Sequence, residues 1–138
     1  MKKNLFFLTT LMGLSLSTIL KAENVLYCES ELATGLFKEG NTYRESSFIK
    51  KRLTMKFNKD YTRLDSANFG DSIYMNCSLR FKHARPNTVF CVAQEYVPDI
   101  FMYNKITKRF LLTKISSGGY VNNLGDTDII YAGSCQKF

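Results

Sequence analysis

The chain has 138 residues, of which 45% are hydrophobic and 14% aromatic, with 11 Phe, 8 Tyr and no Trp. A net charge of +7 is moderately basic; it falls short of a dedicated nucleic-acid binder, and no nucleic-acid partner is expected. One histidine and four cysteines leave little material for metal or imidazole chemistry.

Residues 1–22 are expected to be a signal peptide. Lys2 and Lys3 make a positive start, Leu5 to Leu20 is an uncharged apolar run, and Ala22 precedes a cleavage point before Glu23. Retained, the same run would be an anchor, but its 16 residues fall short of the ~17 that span a bilayer. Cleavage leaves one domain, 23–138, that does not span the membrane. Tyr27 is too large to precede a lipidated Cys28, so the expectation is a soluble periplasmic or secreted protein. Removal of Lys2, Lys3 and Lys21 takes three charges from +7 and leaves about +4. That charge suits weak attraction to anionic surfaces such as lipid headgroups or cell-wall polymers.

After the signal nearly every segment reads as strand. Val25 to Cys28 is a short apolar run. Glu31 to Phe37 has some helical character but is cut by Gly35 and by a turn at Glu39-Gly40-Asn41, which Thr42 to Phe48 answers as a hairpin partner. Arg52 to Phe57 alternates apolar and polar with period two. Asn58-Lys59-Asp60 turns, Tyr61 to Leu64 returns, and Asp65 to Asp71 is a loop. From Ile73 to Phe81, residues Ile73, Met75, Cys77, Leu79 and Phe81 fall on one face, the strongest strand pattern in the chain. Thr88 to Tyr96 follows with Val89, Cys91 and Ala93 inward, and Pro98 ends it. Ile100 to Tyr103 and Arg109 to Ile115 flank a turn at Asn104 to Thr107. Ser116-Ser117-Gly118-Gly119 is a flexible break. Asp128 to Cys135 is the last strand, where Gly133 marks a bulge or a close backbone approach.

Four cysteines in an exported domain imply two disulfides and allow three pairings. Cys77 and Cys91 lie symmetrically about Ala84 in the run Lys82 to Asn87, as facing positions of a hairpin would. The spacing selects Cys77–Cys91, and elimination leaves Cys28–Cys135, tying the first strand to the last. Closing a loop of over a hundred residues stabilises by about 4–5 kcal/mol in the chain-entropy model. No helix of three turns is expected. About 8–10 short strands rich in Phe and Tyr predict an all-β fold, a small antiparallel β-barrel or sandwich, and the tie between its ends favours a closed barrel.

Catalytic candidates are few. His83 stands in the turn beside Arg85 and Pro86, with no carboxylate or nucleophile positioned for a relay. Glu29/Glu31 and Asp126/Asp128 are carboxylate pairs at i, i+2, a spacing that places both side chains on one face of a strand. The aspartates are also potential calcium ligands. With every cysteine in a disulfide, no metal site, cofactor or catalytic residue is expected. Basic residues cluster at Lys50-Lys51-Arg52, at Arg80/Lys82/Arg85 and at Lys105/Lys108/Arg109/Lys114. Strand periodicity sends Phe110 and Leu112 inward, which leaves Lys105, Lys108 and Arg109 at a hairpin tip as the residues available to a partner.

The chain resembles a group of small, uncharacterised exported proteobacterial proteins. The resemblance rests on Tyr27-Cys28, on Ala33-Thr34-Gly35-Leu36-Phe37 and on the hairpin Phe101-x-Tyr103-Asn104-Lys105-x-Thr107-x-Arg109-Phe110. Gly119-Tyr120 and Gly133-Ser134-Cys135 complete it. It implies a two-disulfide β-protein of the periplasm and no particular activity. Val25-Leu26-Tyr27-Cys28 and Ser116-Ser117-Gly118-Gly119 also resemble the opening strand and inhibitory loop of periplasmic C-type lysozyme inhibitors. A domain near +4 would be repelled by cationic lysozyme, however. The expectation is therefore a non-enzymatic envelope protein that binds a small apolar ligand inside the barrel or an anionic envelope component outside it. An inhibitor of a cell-wall hydrolase and a small secreted hydrolase are the alternatives.

Overall fold

The computed structural model describes residues 24–66, 73–80, 82–93, 99–115 and 119–137. These form nine strands: β1 (Asn24–Glu39), β2 (Thr42–Ser47), β3 (Arg52–Phe57), β4 (Arg63–Ser66), β5 (Ile73–Ser78), β6 (Thr88–Ala93), β7 (Ile100–Asn104), β8 (Arg109–Ile115) and β9 (Asp128–Lys137). No helix occurs among the described residues. From β3 to β9 each strand pairs with the next, and β9 and β3 both pair with β1. The result is a closed eight-stranded antiparallel barrel, with β2 as an extra strand on β1.

The long first strand is where the chain departs most from its sequence pattern. Val25–Cys28 and Glu31–Phe37 are not two pieces but one strand of 16 residues. Continuity comes from a bulge. Ser30 pairs with Gly133 and Leu32 with Ala132, so Glu31 is left over. The inward positions then switch from Leu26, Cys28 and Ser30 to Ala33. Ser30 anchors the switch: its N–H donates to the Lys51 carbonyl at 2.9 Å, and its Oγ accepts the Lys51 N–H at 2.6 Å. β2 and β3 therefore lie end to end along one edge of β1, against Thr34–Glu39 and Asn24–Glu29 respectively. Gly133 is the close approach expected of it, since a Cβ there would strike the Glu29 carbonyl oxygen.

Smaller differences concern strand ends. The return after the Asn58 turn begins at Arg63 rather than Tyr61, whose φ of 55° takes it out of the ladder. β5 stops at Ser78, so Leu79 is exposed beyond the strand instead of facing the core. Residues 67–71 of the expected loop, Phe81, and the end of the sixth strand at 94–96 lie outside the described residues.

Both disulfides have the expected pairing. Cys77 faces Cys91 across β5 and β6, and Cys28 faces Cys135 across β1 and β9. Their sulfurs lie in a core with Leu26, Leu53, Met55, Phe57, Leu64, Met75, Val89, Phe101, Tyr103, Phe110, Leu112 and Tyr131. Aromatic rings meet across the interior: Phe57 lies 6.2 Å from both Phe101 and Tyr103, and Phe101 lies 5.8 Å from Phe110. With no helix to cover a sheet face, closing the sheet on these rings is how the chain buries them. Burial raises the pKa of Tyr103, with a smaller contribution from Tyr61.

Candidate functional site

The barrel exterior is divided. On β3 to β5 the outward side chains are Arg52, Thr54, Lys56, Arg63, Asp65, Tyr74 and Asn76, as a solvated face requires. Arg63 stacks 4.6 Å from the Tyr74 ring and pairs with Asp65 at 3.1 Å. From β6 round to β1 the outward apolar residues gather in two neighbouring rows, beside a polar row of Thr88, Asn104, Arg109, Ser134 and Glu29. Register aligns Phe90, Met102, Leu111, Ala132 and Leu32 in one row across five strands. A second row runs Val92, Ile100, Thr113, Ile130 and Thr34. Leu32 is 66% exposed, Ile130 43% and Leu111 37%. Phe90, Val92, Ile100, Met102 and Ala132 between them are part-buried; scattered exposed apolar residues are ordinary, whereas contiguous apolar rows mark contact surfaces.

Arginines border this wall. The Arg80 guanidinium lies 5.2 Å from the Phe90 ring and lines an outer groove with Ser78 and Val92. Arg109 lines two shallow outer grooves, one beside Met102 and Leu111 and the other beside Leu32 and Ala132, where Glu31 faces it as a single opposite charge.

At the far end of the wall lies an apolar groove of about 310 Å³. Leu36 of β1, Ile115 of β8 and Ile130 of β9 line it, together with Tyr120 and Val121 from the turn before β9. The β1–β2 hairpin holds that turn in place. The Tyr43 hydroxyl lies 2.8 Å from the Gly119 carbonyl oxygen and 2.6 Å from that of Leu124, and the Tyr43 and Tyr120 rings meet edge-on at 5.0 Å. Lys38 Nζ donates to the Asn123 carbonyl at 2.7 Å. Desolvation raises the Tyr43 pKa, and the carboxylates of Asp128 and Asp126 add to it. Asp128 also lines the groove; its Oδ2 accepts the Tyr120 N–H at 3.1 Å, and its Oδ1 is buried with no hydrogen-bond partner among the described residues.

Of the three residues expected to serve a partner, Lys105 and Lys108 lie in the β7–β8 connection and Arg109 opens β8, and they face different surroundings. Lys105 Nζ sits 5.3 Å from the Tyr61 ring, and Lys108 Nζ donates to the Lys105 carbonyl at 2.6 Å. Arg109 is the member of the trio that lines the grooves of the apolar wall. In the first basic cluster, Lys51 Nζ lies 5.7 Å from the Tyr131 ring and Arg52 pairs with Glu29 at 3.2 Å. His83 is exposed in the turn between β5 and β6. Glu29 and Glu31 are both exposed, flanking the buried Ser30 on the outer face of β1. Asp126 precedes β9 and Asp128 opens it. Ser116, Ser117 and Gly118, most of the loop that resembles an inhibitor's, lie outside the described residues.

A carboxyl group is also buried. Asp99, 3% exposed, precedes β7 with its Oδ1 unpartnered among the described residues. Desolvation raises its carboxyl pKa; Lys114 and the Ile115 N–H partly offset that.

Sequence reasoning missed the apolar wall, although a signal was present. β6 to β9 carry consecutive apolar residues where β3 alternates: Val89-Phe90-Cys91-Val92, Ile100-Phe101-Met102-Tyr103, Phe110-Leu111-Leu112 and Ile129-Ile130-Tyr131-Ala132. In an antiparallel sheet such runs mean that both faces are apolar. Compared with protein-family models, with curated proteins and with solved structures, the chain matches none.

Proposed function

We propose that this chain is an exported, non-enzymatic binding protein of the cell envelope that docks on an anionic lipid surface through the apolar wall of β6 to β9 and β1. The observation that carries the reading is the row Phe90, Met102, Leu111, Ala132 and Leu32, bordered by Arg80 and Arg109. Apolar area with cations at its rim is how interfacial proteins combine insertion with attraction to acidic headgroups. The net charge of +7, or about +4 after signal cleavage, has the matching sign. Two disulfides suit an oxidising compartment, periplasmic or secreted. Aromatic rings packed across the interior favour a partner outside the barrel over an apolar ligand within it. The charged exterior of β3 and β4, and strands as short as 4 residues, suit docking by one wall rather than a transmembrane barrel, whose strands need ~9–11 residues.

Co-sedimentation with phosphatidylglycerol and phosphatidylcholine vesicles tests the proposal. Binding to the anionic vesicles, weakened by salt, is the expected result. Binding to neither overturns it, as does a stable dimer whose interface is this wall. In the same reading, stoichiometric protein leaves lysozyme activity unchanged, and inhibition would move the function to the hydrolase-inhibitor class.

A further inference from the structure

We infer that the barrel also inserts the tip of its β7–β8 turn into the lipid surface, with Ile106 among the headgroups and the surrounding cations on their phosphates. The inference rests on the lipid reading above and adds to the wall a second contact surface, at one end of the barrel. Successive strands are antiparallel, so the β3–β4, β5–β6 and β7–β8 connections fall at the same end. Hydrogen bonds and ring contacts knit them together. The Lys105 N–H donates to the Asn87 carbonyl at 2.9 Å, and Lys105 Nζ sits over the Tyr61 ring. At the end of β9, Lys137 Nζ donates to Asn24 Oδ1 at 2.9 Å, and Asn24 Nδ2 donates to the Asn58 carbonyl at 3.4 Å.

This end is more basic than the net charge suggests. Lys59, Lys82, Arg85, Lys105, Lys108 and Lys137 stand there, and Asp60 is the one side-chain carboxylate in these connections among the described residues. None of these cations is in an ion pair among the described residues. Arg80 and Arg109 join this end to the border of the wall. At the opposite end Arg44 is paired with Glu39 at 3.0 Å, and Asp99, Asp126 and Asp128 outnumber Lys38 and Lys114. An anionic surface therefore turns the basic end toward itself. Ile106 is the one apolar side chain from Asn104 to Lys108, and it is 68% exposed. The turn that carries it is fixed. Asn104 Oδ1 accepts the Ile106 and Thr107 N–H groups at 2.9 and 3.0 Å, and Lys108 Nζ folds back onto the Lys105 carbonyl at 2.6 Å. Leu79, 37% exposed in the β5–β6 connection, is a second apolar side chain at this end. Turns usually carry polar residues; an apolar tip among lysines suits insertion between acidic headgroups.

Because the chain has no Trp, Ile106→Trp places a single fluorescent probe at the tip. With phosphatidylglycerol vesicles its emission shifts to the blue, and acyl chains brominated near the headgroup quench it. Tyr74→Trp, at a position 52% exposed on the polar side of the barrel, is neither shifted nor quenched. Ile106→Gln weakens vesicle binding about tenfold. Lys82→Gln/Lys105→Gln weakens it about tenfold or more at low salt. Lys38→Gln/Lys50→Gln makes the same change in net charge and weakens it less than about twofold. Vesicle binding that leaves the probe at position 106 unshifted and unquenched, while Leu111→Trp is quenched, overturns this inference and leaves the wall reading standing. Equal quenching at positions 74 and 106 overturns it, as do equal losses in the two double variants, since net charge alone then accounts for binding. No binding of the unaltered protein to these vesicles overturns both readings.

Discussion

Cys28 and Cys135 stand directly opposite each other on β1 and β9, their Cα atoms 3.9 Å apart, so the strand that opens the barrel is bonded to the one that closes it. The bond spans 107 residues, against 14 for Cys77–Cys91. In the chain-entropy model the long loop contributes about 4–5 kcal/mol and the short one about 3 kcal/mol. The Cys28→Ala/Cys135→Ala pair is therefore expected to lose more stability in urea unfolding than Cys77→Ala/Cys91→Ala. Unreduced peptide mapping of the unaltered protein should recover only these two linkages.

The same seam predicts an unequal response of two glycines. A Cβ at Gly133 would strike the Glu29 carbonyl oxygen, and backbone cannot move aside as a side-chain tip can. Gly133→Ala is expected to cost about 1–3 kcal/mol. Gly125 has open space around its Cβ position, so Gly125→Ala is expected to change stability by less than about 0.5 kcal/mol. Thermal unfolding of both variants checks the contrast.

Lipid docking should depend on the wall and not on the opposite side of the barrel. Leu111→Glu places a charge in the middle of the apolar row and is expected to reduce binding to phosphatidylglycerol vesicles about tenfold or more. Arg109→Gln removes one rim cation and should cost about fivefold, an effect that fades at high salt. Lys56→Gln, on the polar wall beside Asp65, should change binding far less.

Asp99 gives a pH signature. Burial raises its carboxyl pKa above the ordinary 3.8, so the folded chain holds this proton more tightly than the unfolded one. Its contribution to stability therefore falls as pH rises from the ordinary value through the raised one, and stays low above that. Asp99→Asn cannot ionise and should be more stable than the unaltered protein near neutral pH. That advantage should vanish in acid, below the ordinary carboxylate value. Urea midpoints across the pH range measure it.

Much of this architecture was legible in the sequence because it repeats locally. Leu53, Met55 and Phe57 alternate with polar neighbours and face the core, and Cys77 and Cys91 are symmetric about a turn and face each other. The hairpin tip at Lys105 was equally readable, since the Asn104 Oδ1 accepts the N–H groups of Ile106 and Thr107 within the turn. The unity of β1 was not. Gly35 resembles a strand breaker, yet it lies where a Cβ would collide with the Asp128 carbonyl oxygen, so glycine is needed for β9 to approach.

The sequence by itself determined the class of the fold, the pairing of the cysteines and the inward face of most strands, because alternation and turn chemistry act over a few residues. Tertiary structure alone decided which outward residues become neighbours. Leu32 and Leu111 are distant in the chain and share a row because β1 and β8 both pair with β9. Asp128 meets Tyr120 and the groove because the β1–β2 hairpin holds the intervening turn against the barrel. Such neighbours follow from closing the sheet into a barrel, and closure is a property of the whole chain rather than of any stretch within it.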